Sequence, residues 1–235
     1  MLFGGYNKSL FGTRKIEERT KDIPLEGDLV AAIYILTYEK TFATPDFSIS
    51  LPAAYLVRWY NEGKVRFEDG RFVFADMPAP KGKAEKNYYA LFTQAAGDDH
   101  VIWSREDVKK SFYFRFTKVP NIKELLEAQM DWFKKRGYIQ KEGLIVPTLN
   151  DTGAKDARRL ISLRNYLKDV KEGRDTLVPG DGNMAEYVVY SILFGIDDLF
   201  VESVRKVLPK ELIEVYNAAI DLAEAGDDGH YEATD

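Results

Sequence analysis

The chain has no cysteine among its 235 residues and only two histidines, His100 and His230. Disulfides, thiol nucleophiles and cysteine-based zinc sites are therefore excluded. Two histidines leave little material for a histidine-based metal site or a catalytic triad. The glycines also lack the strand–helix context and the lysine of a phosphate-binding loop. The sequence thus predicts no metal, no other cofactor and no catalytic residue.

Long apolar runs are missing as well. The longest ones, residues 29–36 and 188–196, fall far short of the ~20 residues that cross a membrane as a helix. The N-terminus lacks the basic and apolar regions of a signal peptide. The sequence therefore predicts a soluble chain, and the absence of cysteine is typical of a reducing compartment.

An excess of positive charge, which non-specific binding to nucleic acid requires, is also absent. Asp and Glu number 38 against 33 Lys and Arg, so the net charge is −5. Hydrophobic residues, in contrast, make up 45% of the chain and aromatic residues 13%. This content is sufficient for hydrophobic cores. We therefore expect a folded protein whose composition disfavours nucleic acid as a partner.

One pattern occurs twice along the chain. Each copy has an aromatic pair, a glycine and an acid–glycine pair: Trp59-Tyr60, Gly63 and Asp69-Gly70, then Trp132-Phe133, Gly137 and Glu142-Gly143. An amphipathic helix that ends at a glycine and continues into a tight β-hairpin is typical of a winged helix. The repeat predicts an α+β, mainly helical fold, with two tandem winged-helix-like domains followed by a C-terminal helical group. Its aromatic pairs are expected in the cores.

The repeat and the loop signals divide the chain into six regions. We predict a flexible lead-in (1–22), a first winged-helix-like domain (23–77), a linker (78–83), a second such domain (84–147), a C-terminal helical region (148–225) and a disordered acidic tail (226–235). The tail is predicted to be disordered because it is rich in acids and has no Lys or Arg. Within the second domain, residues 101–103 predict a short strand, and Ser104 with Asp107 predicts a capped helix start.

A basic cluster accompanies the second hairpin. Lys134, Lys135 and Arg136, with Lys141, would contact phosphates if this domain bound DNA. Three carboxylates on the preceding helix would repel the same phosphates: Glu124, Glu127 and Asp131. A solvated helix end is therefore the favoured interpretation, and nucleic-acid binding by these four basic residues is the alternative.

Two acidic clusters are the other candidates for chemistry. In Asp98-Asp99-His100 two carboxylates directly precede a histidine, but glycine before them and strand-like residues after them favour a polar turn. Asp197-Asp198 stands between two apolar helical runs, which predicts a helix N-cap with an acid in the first turn. A polar contact with a partner is the alternative for that pair.

The C-terminal half resembles a known family. Residues 149–153 (LNDTG) and 159–167 (RLISLRNYL) are similar to the T-x-x-G … L-x-G-F-x-x-Y-L run of the YciQ-like family. Residues 184–196 (MAEYVVYSILFGI) are similar to its Y-L-P-Y-A-I-A-L-G-V segment. These are predicted bacterial membrane proteins of unknown function. The resemblance covers roughly residues 22–208; it implies a place at the cytosolic face of the cell membrane and no catalytic residues.

Composition, repeat and resemblance lead to one expectation. We expect a non-enzymatic protein-interaction module in the cytoplasm, at the membrane face, whose protein partner is unidentified. Any membrane association is expected through segments outside this sequence. The alternative is a winged-helix transcriptional regulator that binds DNA through one wing.

Overall fold

The computed structural model describes residues 17–23, 29, 47–74, 82–114, 134–141, 148–178 and 182–234. The helices are α1 (Phe47–Asn61), α2 (Lys83–Ala96), α3 (Arg105–Phe114), α4 (Asp151–Lys171), α5 (Met184–Leu193), α6 (Asp197–Val204) and α7 (Lys210–Thr234). The strands are β1 (Val65–Glu68), β2 (Arg71–Phe74), β3 (Ile139–Lys141) and β4 (Thr148–Leu149). Within these residues the fold is mainly helical with two small antiparallel sheets, which confirms the predicted class in its coarse form.

The first helix-plus-hairpin unit forms where the sequence predicts it. Gly63 follows α1 with a φ of 68°, a conformation that favours glycine and turns the chain out of the helix. β1 and β2 then pair antiparallel around Asp69-Gly70, and both turn residues have positive φ. Two successive positive φ values are typical of the tight hairpin turn that matches the twist of the strands. We call this hairpin the first wing.

The repeated tryptophan of the first unit is a core residue, as predicted. Trp59 is fully buried, and its ring meets that of Tyr89 edge-on at a centroid distance of 5.1 Å. Its Nε1–H donates a 3.0 Å hydrogen bond to Glu85 Oε1, which also accepts from Lys64 Nζ at 3.1 Å. These contacts attach α1 to α2, because the buried indole needs a polar partner as well as apolar neighbours. The second tryptophan, Trp132, lies outside the described residues.

The two predicted winged-helix-like domains and the predicted C-terminal helical region share one hydrophobic core in their described parts. α1 packs against α5 and α7, α3 packs against α7, and α4 packs against α6. Residues 75–81, which include most of the predicted linker, lie outside the described residues. The division of the chain at 78–83 stays a prediction, while the shared core is a finding.

The boundary predicted between residues 147 and 148 is wrong. β4 pairs antiparallel with β3, with Ile139 opposite Leu149, so the predicted boundary separates two strands of one sheet. The strand that pairs with β3 is thus Thr148–Leu149, and the predicted turn residues Glu142-Gly143 lie outside the described residues. α4 then starts directly, because the Asn150 side chain accepts a 3.0 Å hydrogen bond from the Gly153 N–H.

The predicted disordered tail is also wrong for the described residues 226–234, which continue α7 to Thr234. Two glycines allow the helix to approach α3 closely. A Cβ on Gly226 would lie 2.8 Å from Phe112 Cε1, and one on Gly229 would overlap the backbone carbonyl of Lys109. Glu232 accepts a 2.5 Å ion-pair contact from Lys109 Nζ. The cations that the tail lacks are therefore supplied by α3.

Part of the predicted flexible lead-in is attached to the helical region. The Thr20 N–H donates to Ser162 O at 3.3 Å, and the Tyr187 hydroxyl donates to Lys21 O at 2.9 Å. Residues 17–23 thus follow α4 and α5 without regular secondary structure. The predicted lead-in is therefore not flexible at residues 17–22, because backbone groups that are hydrogen-bonded to α4 and α5 are held in place.

None of the helices in the described part of the chain combines the length and the apolar character required to cross a membrane.

Candidate functional site

A cleft of about 360 Å³ opens beside the first wing. Its walls are the wing tip (residues 69–72), the segment 102–105 that leads into α3, and Ala218, Asp221 and Leu222 of α7. We call it the wing cleft. Three segments far apart in the sequence thus meet at one concave place, which is where binding sites are most often found.

Strand pairing positions the most exposed aromatic group of the cleft. The Phe74 N–H donates to His100 O at 2.8 Å, and the Ile102 N–H donates to Phe72 O at 3.1 Å. Successive side chains of an extended segment point to opposite faces. Ile102 accordingly enters the core at 3% exposure, while Trp103 is 56% exposed.

Trp103 is held against the first wing by a cation. The guanidinium carbon of Arg71 lies 4.5 Å from the centroid of the Trp103 ring. This is a cation–π contact, which is worth about 0.5–1 kcal/mol at an exposed site. The contact favours one orientation of the indole, which gives the cleft an aromatic lining.

The segment after Trp103 starts α3 as the sequence predicts. Ser104 Oγ accepts from the Asp107 N–H at 3.3 Å and donates to Asp107 Oδ2 at 2.7 Å. The serine thus satisfies one of the free N–H groups at the start of the helix. This cap stabilises the start of α3, whose first residue is Arg105.

Arg105 is shared by several carboxylates of α7. Its guanidinium is bonded to Asp221, with Glu224 at 3.8 Å and Asp228 at 3.9 Å. The three acidic side chains are between 50% and 64% exposed. One guanidinium cannot neutralise three carboxylates, so this side of the wing cleft carries surplus negative charge.

The sequence predicted the Ser104–Asp107 cap but neither the Arg71–Trp103 contact nor the contacts of Arg105 with α7. Residues 101–103 were predicted as a strand, and period-2 alternation from the buried Ile102 would have placed Trp103 outward. That signal identifies an exposed tryptophan. It does not reveal Arg71 or the acids of α7, because those residues are distant in the sequence.

None of the four residues of the predicted basic cluster lines the wing cleft. Three of them are exposed, as expected for a solvated helix end. Lys134 and Lys135 are the last helical residues before a turn, and both are exposed, as is Arg136. Lys141 lies in β3. The helix residues Glu124, Glu127 and Asp131 lie outside the described residues, so the balance of charge along that helix stays a prediction.

Asp98-Asp99-His100 forms the exposed polar turn that the sequence favours. The His100 N–H donates to Gly97 O at 3.2 Å, and His100 has a φ of 58°. Among the residues that the structure describes, no group of three or more potential ligands is placed to hold a metal ion.

Asp197 and Asp198 both lie in the first turn of α6, as predicted, but neither is its N-cap. The residue at the cap is Ile196, which makes no side-chain capping bond. The Tyr216 hydroxyl lies 2.9 Å from Asp197 Oδ2 and 2.9 Å from Asp198 Oδ1. A hydroxyl has one proton, so it donates to one carboxylate at a time. The pair therefore joins α6 to α7.

Burial raises the pKa of Asp197 above its ordinary value, and this outweighs the hydrogen bond from Tyr216, which lowers it. At a pH between the unfolded and folded pKa values, the folded state therefore holds more protons than the unfolded state. The free energy of unfolding consequently falls as the pH rises through that interval. We expect Asp197→Asn to remove this fall, so that its stability relative to the natural chain increases from about pH 3 upward.

Chemical denaturation at several pH values measures this difference. Asp198→Asn is the matched control, since it removes an exposed carboxylate from the same hydroxyl. A stability difference for Asp197→Asn that stays constant, or shrinks as the pH rises, would contradict the expectation.

The chain was compared with protein-family models, with curated proteins and with solved structures, and none of the three comparisons found a match.

Proposed function

We propose that this chain is a non-enzymatic protein-interaction module that binds a partner polypeptide at the wing cleft. The observation that supports this most is the Arg71–Trp103 pair, an exposed indole with a guanidinium 4.5 Å from its ring centroid. Tryptophan and arginine are the side chains most enriched among the residues that dominate binding energy at protein interfaces. A fixed aromatic group also loses little entropy when a partner packs on it.

The proposal includes two finer statements from the sequence. The first is that the chain has two winged-helix-like units in tandem. The helix α1 followed by the first wing supports the first unit. Residues 134–141, whose strand β3 pairs with β4, support part of the second unit. The second is that the module works at the cytosolic face of a bacterial membrane. That statement rests on the resemblance to the YciQ-like family.

DNA binding by a wing is the second candidate. The exposed Lys134, Lys135 and Arg136 favour it. Against it, three exposed carboxylates of α7 surround the single cation of Arg105 beside the wing cleft, and the net charge of the chain is −5. A duplex would gain little attraction from a chain with this balance of charge, so we rank this candidate below the interaction module.

Photo-cross-linking at the cleft tests the proposal. Replacing Trp103 by benzoylphenylalanine in the native host should give a discrete adduct with a polypeptide. The same replacement of Leu199, which is 61% exposed on α6, is the matched control and should not give that adduct. Identical adducts at both positions, or none at Trp103, would count against the proposal.

A titration with duplex DNA tests the second candidate. A protein that holds several phosphates loses roughly 10³–10⁵-fold in affinity between about 50 and 200 mM salt. We expect no binding with this signature. Steep salt-dependent binding that is lost in Lys134→Ala/Lys135→Ala/Arg136→Ala would support DNA as the partner instead.

A further inference from the structure

We infer that the wing cleft takes a segment of a partner protein in which lysine or arginine side chains stand next to an apolar residue. The inference rests on the proposed function and names the chemistry of its partner. It depends on the charge of the cleft, on the aromatic surface of Trp103, and on the size of the opening.

The charges beside the cleft do not balance. Four acids lie on one face of α7 and meet two cations of α3: Asp221, Glu224, Asp228 and Glu232 against Arg105 and Lys109. Asp69 and Arg71 of the first wing offset each other on the opposite wall, so the surplus of two carboxylates lies on the α7 side. The side chains of Glu224 and Asp228 are 51% and 64% exposed, which leaves them accessible to a cation from outside. A partner with Lys or Arg would complement this surplus, whereas an acidic partner would be repelled.

Trp103 provides the surface for the rest of such a side chain. The guanidinium of Arg71 covers one face of its ring at 4.5 Å, and the residue is still 56% exposed, so aromatic surface remains for a further side chain. Lys and Arg also have apolar stems, which pack on an aromatic ring while the charged group stays in water. One indole beside surplus carboxylates thus matches both parts of a basic side chain.

The size of the cleft limits how much of the partner enters it. A volume of about 360 Å³ is at the small end of the ~300–1,000 Å³ that is usual for ligand sites. A few side chains from one segment fit this space, and a broad folded surface does not. The remaining contacts of the partner would lie on the rim.

Two synthetic peptides test the inference on the complete chain. One alternates valine with arginine, and the other has glutamate in place of every arginine. The readout is the ¹⁵N indole signal of Trp103, assigned by its loss in Trp103→Phe. We expect the arginine peptide to shift this signal saturably and the glutamate peptide to leave it unchanged.

A pair of charge variants locates the effect. Glu224→Gln/Asp228→Asn removes the surplus acids but keeps the closer Arg105–Asp221 contact, and it should weaken binding of the arginine peptide by about fivefold. Glu172→Gln/Glu202→Gln changes the net charge equally at exposed sites of other elements and should leave the affinity within about twofold.

The outcomes separate this inference from the function on which it rests. Equal or tighter binding of the glutamate peptide would overturn the inference, as would a fivefold loss in the control variant. If neither peptide shifts the signal while cross-linking at position 103 still captures a polypeptide, the partner chemistry is wrong and the interaction function stands. If both experiments fail, the proposed function fails as well.

Discussion

Glu186→Ala should lower the free energy of unfolding by about 3 kcal/mol, because it leaves the buried cation of Arg58 without its counter-ion. The Arg58 side chain is only 5% exposed, and its Nη2 lies 2.6 Å from Glu186 Oε2. Its Nη1 has no hydrogen-bond partner in the described structure, so the cation depends on Glu186 and on Tyr190, its second polar neighbour. The ring of Tyr190, 5.7 Å away, would remain as a weaker contact.

Two further variants separate the ion pair from the packing. Arg58→Met removes the cation itself and leaves Glu186, whose side chain is 19% exposed, within reach of water. We therefore expect Arg58→Met, and also Arg58→Met/Glu186→Ala, to cost less than Glu186→Ala alone. Urea denaturation of the four proteins measures the coupling. A double variant as unstable as the sum of the two single ones would show that the pair is not coupled.

Gly229→Ala should be the second strongly destabilising substitution, although alanine is a better helix former than glycine. The new Cβ would overlap the backbone carbonyl of Lys109, and backbone cannot move aside as a flexible side chain does. Separating α7 from α3 costs about 2–3 kcal/mol, the upper part of the usual range for overpacking because backbone has to move, and this exceeds the roughly 1 kcal/mol gained in helix propensity. The expected net loss is about 1–2 kcal/mol.

Gly182→Ala is the matched control for this substitution. Nothing lies within 4 Å of its added Cβ, and the residue does not have a positive φ. The control should therefore be neutral or slightly stabilising, by about 0.4–1 kcal/mol, since alanine restricts the unfolded chain. Thermal denaturation compares the two. If Gly229→Ala proved as stable as the natural chain, the close α3–α7 contact would not exist in solution.

Local patterns in the sequence predicted local structure well. The order of Trp59, Gly63 and Asp69-Gly70 was sufficient for a helix end and a tight turn, because each signal acts within a few residues. Ser104 with Asp107 predicted the start of α3 for the same reason. The mainly helical class followed from these signals and from apolar periodicity.

The errors arose where distant residues decide the structure. Residues 226–234 were predicted to be disordered from their own composition, but their partners Phe112 and Lys109 lie more than a hundred positions earlier. The boundary at 147–148 failed because β4 pairs with β3 across six residues. The wing cleft was missed for a related reason, since its three walls come together only in the folded chain.

The order of the helices along the chain has a consequence for biosynthesis. α1 packs on α7, yet α7 begins about one hundred and fifty positions after α1 ends. At about 5–20 residues per second, the ribosome completes α7 roughly 9–35 s after it completes α1. During that interval the apolar side of α1 lacks its native cover, which makes the nascent chain a substrate for chaperones that recognise exposed hydrophobic segments.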